Sequence, residues 1–199
     1  MFLHNDFNSN NGTIHLNLLM EGTMKLTLKS FFTLSALVAT VIAPVLLSAG
    51  GASAQPKGTD ANYFGAGVSA GVTNGGENAD AATLGGSLSG RLTTPQVPVS
   101  VRGSVLFTDE TSAIIPTISY DLPVAKNTNL YVGAGYSFVQ ESGKPTPLGN
   151  QNAPVVTVGA ETQVGQNIVI YGDSKLGINA YEDSSASAVS FQAGAGFKF

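Results

Sequence analysis

From residue 62 to the C-terminus the chain alternates apolar residues with small or polar ones at period two, and the alternation falls into eight segments. They cover 62–72, 81–92, 97–107, 112–122, 129–139, 153–164, 167–178 and 186–199. Each has about ten residues, the length a tilted strand needs to cross a bilayer. One parity carries Phe64 and Val68, Leu84 and Leu88, Val99 and Val101, Ile114 and Ile118, Val132 and Phe138, Ile168 and Ile170, and no charge. The other carries Gly, Ser, Thr and Tyr together with Arg91, Arg102, Glu161, Asp173 and Lys175. A soluble sandwich or barrel turns its apolar face inward and its charges out to solvent. Here the mid-strand charges share a face with glycine and serine, so the pattern predicts a barrel with an apolar exterior and a narrow polar lumen. An even strand count permits an all-β, antiparallel, up-and-down transmembrane β-barrel, and closure pairs every edge, as lipid requires.

The last segment ends in Gly194-Ala195-Gly196-Phe197-Lys198-Phe199, with Val189, Phe191, Ala193, Ala195, Phe197 and Phe199 on one face. The connections differ in character. Those at 73–80, 108–111, 140–152 and 179–185 are acidic or rich in Gly and Asn, whereas 93–96, 123–128 and 165–166 are mostly shorter. Short turns belong on the periplasmic side of such barrels and longer loops outside. The outer set then carries an acidic rim, Asp109, Glu110, Glu182 and Asp183 among its members. Carboxylates there suit a solvated rim, or attraction of divalent cations toward anionic lipopolysaccharide. Pro145 and Pro147 in the longest loop predict an exposed, contact-making tip.

Upstream, Met24-Lys25-Leu26-Thr27-Leu28-Lys29 leads into an apolar run from Phe31 to Leu47, interrupted by Pro44 and closed by Ala52-Ser53-Ala54. This is the order of a secretory signal peptide, with cleavage expected after Ala54. Residues 1–23 lack periodicity and read as a disordered N-terminal extension, or a misassigned start. The expected organisation is therefore an extension at 1–23, a signal peptide at 24–54, a short periplasmic lead at 55–61 and a barrel domain at 62–199.

These features resemble the small eight-stranded bacterial outer-membrane barrels typified by the OmpA transmembrane domain, OmpX and the opacity-type surface proteins. The resemblance covers 61–199 and rests on the signal peptide, strand count, loop asymmetry and terminal Phe197 and Phe199. It implies an integral outer-membrane location, insertion by the barrel-assembly machinery with Phe197 and Phe199 as the assembly signal, a monomer, and contact with outer-membrane lipids and lipopolysaccharide. A departure from OmpA is also expected, in that no peptidoglycan-binding domain follows the barrel.

Chemistry is constrained by what the sequence leaves out. The chain has no cysteine, and its two histidines, His4 and His15, precede the expected cleavage site. A histidine-dependent hydrolase or acyltransferase is thereby excluded from the mature segment, and no catalytic, metal or cofactor site is expected. The net charge of −4 argues against nucleic acid as a partner. Five inward charges remain, Arg91, Arg102, Glu161, Asp173 and Lys175. In a narrow interior they must pair, which predicts a plugged barrel with a structural or surface-interaction role. If they instead line a continuous water path, the chain is a porin-like channel for small ions or solutes. A secreted soluble β-protein is the third reading.

Overall fold

The structure, a computed structural model, describes residues 57–75, 83–94 and 96–199. The expected extension and signal peptide lie outside the described residues. Eight strands, β1 (Tyr63–Gly71), β2 (Leu84–Thr93), β3 (Val99–Phe107), β4 (Ser112–Ala125), β5 (Thr128–Val139), β6 (Ala153–Val164), β7 (Ile168–Gly177) and β8 (Ala188–Lys198), close into one antiparallel barrel. Every strand pairs with its sequence neighbours, and β1 closes the ring on β8 with Tyr63 opposite Lys198 and Ala70 opposite Phe191. The expected strands agree with these to within a few residues, because a period-two pattern is the direct imprint of the pleat.

Facing follows parity around the ring. Phe64, Val68, Leu84, Val101, Ile118 and Phe197 are exposed on the outer wall, while Tyr63, Ser89, Arg91, Arg102, Glu161 and Lys175 are buried in the lumen. A wall with large exposed hydrophobics all round and charges inside inverts the arrangement of a water-soluble protein. Val189 is an exception: it has outward parity yet is buried, beside the segment that continues the β1–β8 pairing past Gly71. The Val72 amide donates to the Val189 carbonyl at 2.9 Å, and the Val189 amide to the Thr73 hydroxyl at 2.9 Å.

Two consecutive residue pairs of the wall are missing. The pairing of β4 with β5 skips from Ile114↔Phe138 to Thr117↔Gly135, and the skipped residues include Pro116. Proline has no N–H to give to a neighbouring strand, so it interrupts the ladder while the strand continues through it.

The two ends of the barrel are closed differently. At the end that carries the start of β1 and the C-terminus, residues 58–61 lie across the opening. The Asn129 side chain accepts from the Thr59 amide at 3.1 Å and donates to the Thr59 carbonyl at 2.7 Å, and Gly58 bridges to Lys126. Residues 58–61, within the stretch expected as a periplasmic lead, thus form a strap on the barrel. At the far end, the longest loop folds inward. Pro147 and Leu148 are fully buried, so the expectation of an exposed tip is overturned at Pro147, while Pro145 is half-buried and residues 141–144 are exposed. The reason is an apolar socket in the upper lumen, formed by Leu106, Ala113, Ile115, Val155 and Ala180, into which Leu148 packs. Burying that side chain is worth roughly 1.5–3 kcal/mol.

Candidate functional site: the charged lumen

In the half of the barrel nearest the termini, β2 and β3 place Arg91 directly opposite Arg102. Two like charges in register repel. Asp121 near the end of β4 and Glu161 on β6 resolve this by each reaching both guanidinium groups. Asp121 accepts from Arg91 at 2.8 Å through Oδ2 and from Arg102 at 2.8 Å through Oδ1. Glu161 forms an ion pair with Arg91, 2.9 Å from Oε1 to Nη1, and accepts from Arg102 at 2.8 Å through Oε2. The four side chains form a closed ring of alternating charge: Asp121 gives one oxygen to each arginine, whereas Glu161 holds Arg102 through both oxygens, its Oε1 at 3.1 Å from Arg102 Nη2 being shared with Arg91.

Neutral partners complete the shell. Glu161 also accepts from the Tyr63 hydroxyl at 3.2 Å and the Asn129 amide at 3.2 Å. Asp121 takes the hydroxyls of Ser100 and Ser119. Arg91 Nε donates to Ser100 at 3.0 Å, and its Nη1 to the Thr59 and Ala61 carbonyls at 3.2 Å each. The ring is thereby tied to the strap. Arg102 Nε donates to Ser119 at 2.8 Å, and its guanidinium lies 3.6 Å from the centre of the Tyr131 ring. Such stacking suits a weakly hydrated planar cation.

Asp173 and Lys175 stand apart as a second pair further along the lumen, 2.5 Å between Nζ and Oδ1. Lys175 also donates to Gln192 at 3.0 Å, and Gln192 donates to Ser89. Tyr131 links the two groups, stacked under Arg102 while its hydroxyl donates to Asp173 at 3.0 Å. Three cations, Arg91, Arg102 and Lys175, thus meet three acids, Asp121, Glu161 and Asp173, and the buried charge sums to zero. Between the two groups the lumen narrows to a cavity of about 10 Å³, the room of a single water molecule.

The five residues singled out by the sequence therefore fall into two clusters. Asp121, absent from that set, is the acid that completes the ring. It shares parity with Thr117 and Ser119, and that signal suffices to find it.

The acidic residues at the far end are spread around the rim. Glu110 pairs with Lys144 at 2.9 Å, both exposed, and its carboxylate raises the Lys144 ammonium pKa above the ordinary lysine value. Glu182 and Asp183 sit exposed on a separate turn. Among the described residues no group of three or more His, Cys, Asp or Glu could hold a metal ion. Phe197 and Phe199 are exposed near the terminal rim, on the side of the wall that carries Phe64.

No protein-family model matches the chain, and no curated protein matches it in sequence. Solved structures do. Neisserial surface protein A is 15% identical with a TM-score of 0.51, the match covering 69% of this chain and 97% of that one. The N-terminal β-barrel domain of Pseudomonas aeruginosa OprF is 15% identical with a TM-score of 0.47, covering 71% and 99%. Ail, the attachment invasion locus protein of Yersinia pestis, is 15% identical with a TM-score of 0.46, covering 71% and 100%. The likeness to the Neisserial protein shows the fold. The chain is an eight-stranded barrel of that kind.

Proposed function

We propose that the protein is an integral outer-membrane barrel, exported by the signal peptide at 24–54, whose lumen is closed and whose role is structural or surface-contacting. The observation that carries this reading is the closed ring of Arg91, Asp121, Arg102 and Glu161 inside a wall whose outer face is apolar. An ion entering the lumen would have to displace pairs that satisfy one another in a low-dielectric interior, where an uncompensated charge costs several kcal/mol. The exterior speaks against a secreted soluble protein, since large hydrophobics on every strand need lipid or detergent.

On this reading the partners are the barrel-assembly machinery during insertion, engaged through Phe197 and Phe199, and then membrane lipids and lipopolysaccharide around a monomer. The ring serves as a structural core, and no reaction is assigned to it. Conductance of the purified, folded protein in a planar bilayer tests the proposal. Silence is the expected outcome. Stable, reproducible openings, altered by Glu161→Gln, would replace it with a porin-like channel for small ions or solutes. Recovery of the protein in the soluble fraction without detergent would remove the membrane assignment altogether.

A further inference from the structure

The loop between β5 and β6 does more than cover the far end of the barrel. In an eight-strand ring that loop arises opposite the β1–β2 wall, and its tip reaches that wall. Pro147 lies against Gly71 at the end of β1 and Gly85 at the start of β2. A Cβ on Gly71 would come within 2.6 Å of the Pro147 carbonyl oxygen, and one on Gly85 within 3.1 Å of its ring. The two glycines form a notch that receives the tip, so the loop spans the whole mouth.

The tip is built as a self-contained piece. Thr146 and Gly149 exchange backbone hydrogen bonds at 2.9 and 3.2 Å. The Thr146 hydroxyl donates to the Gly149 carbonyl at 2.6 Å and accepts from the Leu148 amide at 3.1 Å. Gly143 and Gly149 flank it with φ of +86° and +100°, backbone that glycine adopts without strain. Below Gly149 the loop is fixed, with the Asn150 and Gln151 amides donating to the Ala180 carbonyl and the Gln151 side chain to the carbonyls of Asn179 and Tyr181. Above it, the polar ties to the barrel among the described residues are the Thr108 hydroxyl to the Pro145 carbonyl at 3.2 Å and the exposed Lys144–Glu110 pair. The apolar fit of Leu148 and Pro147 adds to that hold. Ser137, fully buried, is paired opposite Ala153 of the apolar cluster that holds Leu148, and its hydroxyl has no hydrogen-bond partner among the described residues.

We infer that residues 143–149 form a hinged stopper, with Leu148 as the plug, that swings clear of the Gly71–Gly85 notch and admits water and small solutes to the upper lumen from the far side. The charge ring stays shut beneath it, so the opened space is a blind vestibule. The inference goes beyond the closed-barrel role, because a structural barrel does not require its mouth to move.

The absence of cysteine makes the test direct, because Ser137→Cys supplies the only thiol in the chain. The folded, purified variant is treated with a small water-soluble maleimide before and after a carbodiimide joins Lys144 to Glu110 as an amide. Labelling is expected before cross-linking and lost after it. Glu110→Gln, which cannot form the amide, should keep its labelling under the same treatment, and Gly71→Ala, which crowds Pro147, should speed it. Equal rates in the cross-linked and free proteins would overturn the inference by showing entry elsewhere. Protection in all folded samples, with labelling only after denaturation, would overturn it by showing a fixed wall. Should Gly71→Ala fail to fold, the cross-linking comparison still decides between these outcomes.

Discussion

Glu161 is the residue on which the lumen turns. It is fully buried and receives both arginines, Tyr63 and Asn129. Glu161→Gln keeps the shape and removes the charge, leaving two guanidinium groups with Asp121 alone. Breaking a buried ion pair from one side costs about 3–5 kcal/mol. The urea midpoint of the folded barrel in detergent should fall accordingly. Replacing Arg102 by Met in the same chain should recover part of the loss, since the charge count is then restored. A loss below about 1 kcal/mol for Glu161→Gln alone would mean that water reaches the ring. The rim pair of Lys144 and Glu110 belongs to another class: exposed on both sides, it is screened by solvent and serves as a tether more than a source of stability.

At the scale of the element, β4 offers an internal ruler. Ile118 and Leu122 both face outward and are exposed, but Ile118 lies mid-strand and Leu122 near the terminal end. Arginine on a lipid face costs about 2–4 kcal/mol at the midplane and about 0–1 near the interface. Ile118→Arg should therefore be the more damaging of the two in a refolding titration into vesicles, and equal effects would displace the apolar band from where β4 puts it. The strap at 58–61 makes a separate prediction. A chain beginning at Asn62 loses the Thr59 and Ala61 carbonyls that Arg91 uses and the Thr59 backbone that Asn129 uses. Buried donors left unsatisfied cost about 1–3 kcal/mol each, so the truncated barrel should melt lower while its circular dichroism stays that of a β-barrel.

For the molecule as a whole, the proposed outer-membrane role makes a prediction about assembly. Phe199 is exposed at the chain end and contributes little to the packed interior. Its deletion should slow insertion in cells, read as accumulation of the unfolded species on a gel, without shifting the unfolding midpoint of barrels that have already closed. A matching fall in that midpoint would make Phe199 a structural residue.

The sequence by itself determined strand number, strand limits to within a few residues, and the side each residue faces. These depend only on the two-residue period of a strand and on which of two solvents suits each side chain. It placed Arg91, Arg102 and Glu161 on one face for the same reason, and Asp121 was readable by that rule. What it could not supply was partnership. Arg91 lies 30 residues from Asp121 and 70 from Glu161 along the chain, and only the register of β2, β3, β4 and β6 brings them to a common level. The inward fold of the β5–β6 loop was likewise decided by tertiary structure. Two prolines and a glycine read locally as an exposed turn, but a socket lined by Leu106 and Ile115 exists only once the barrel has closed, and burial of Leu148 then outweighs local preference.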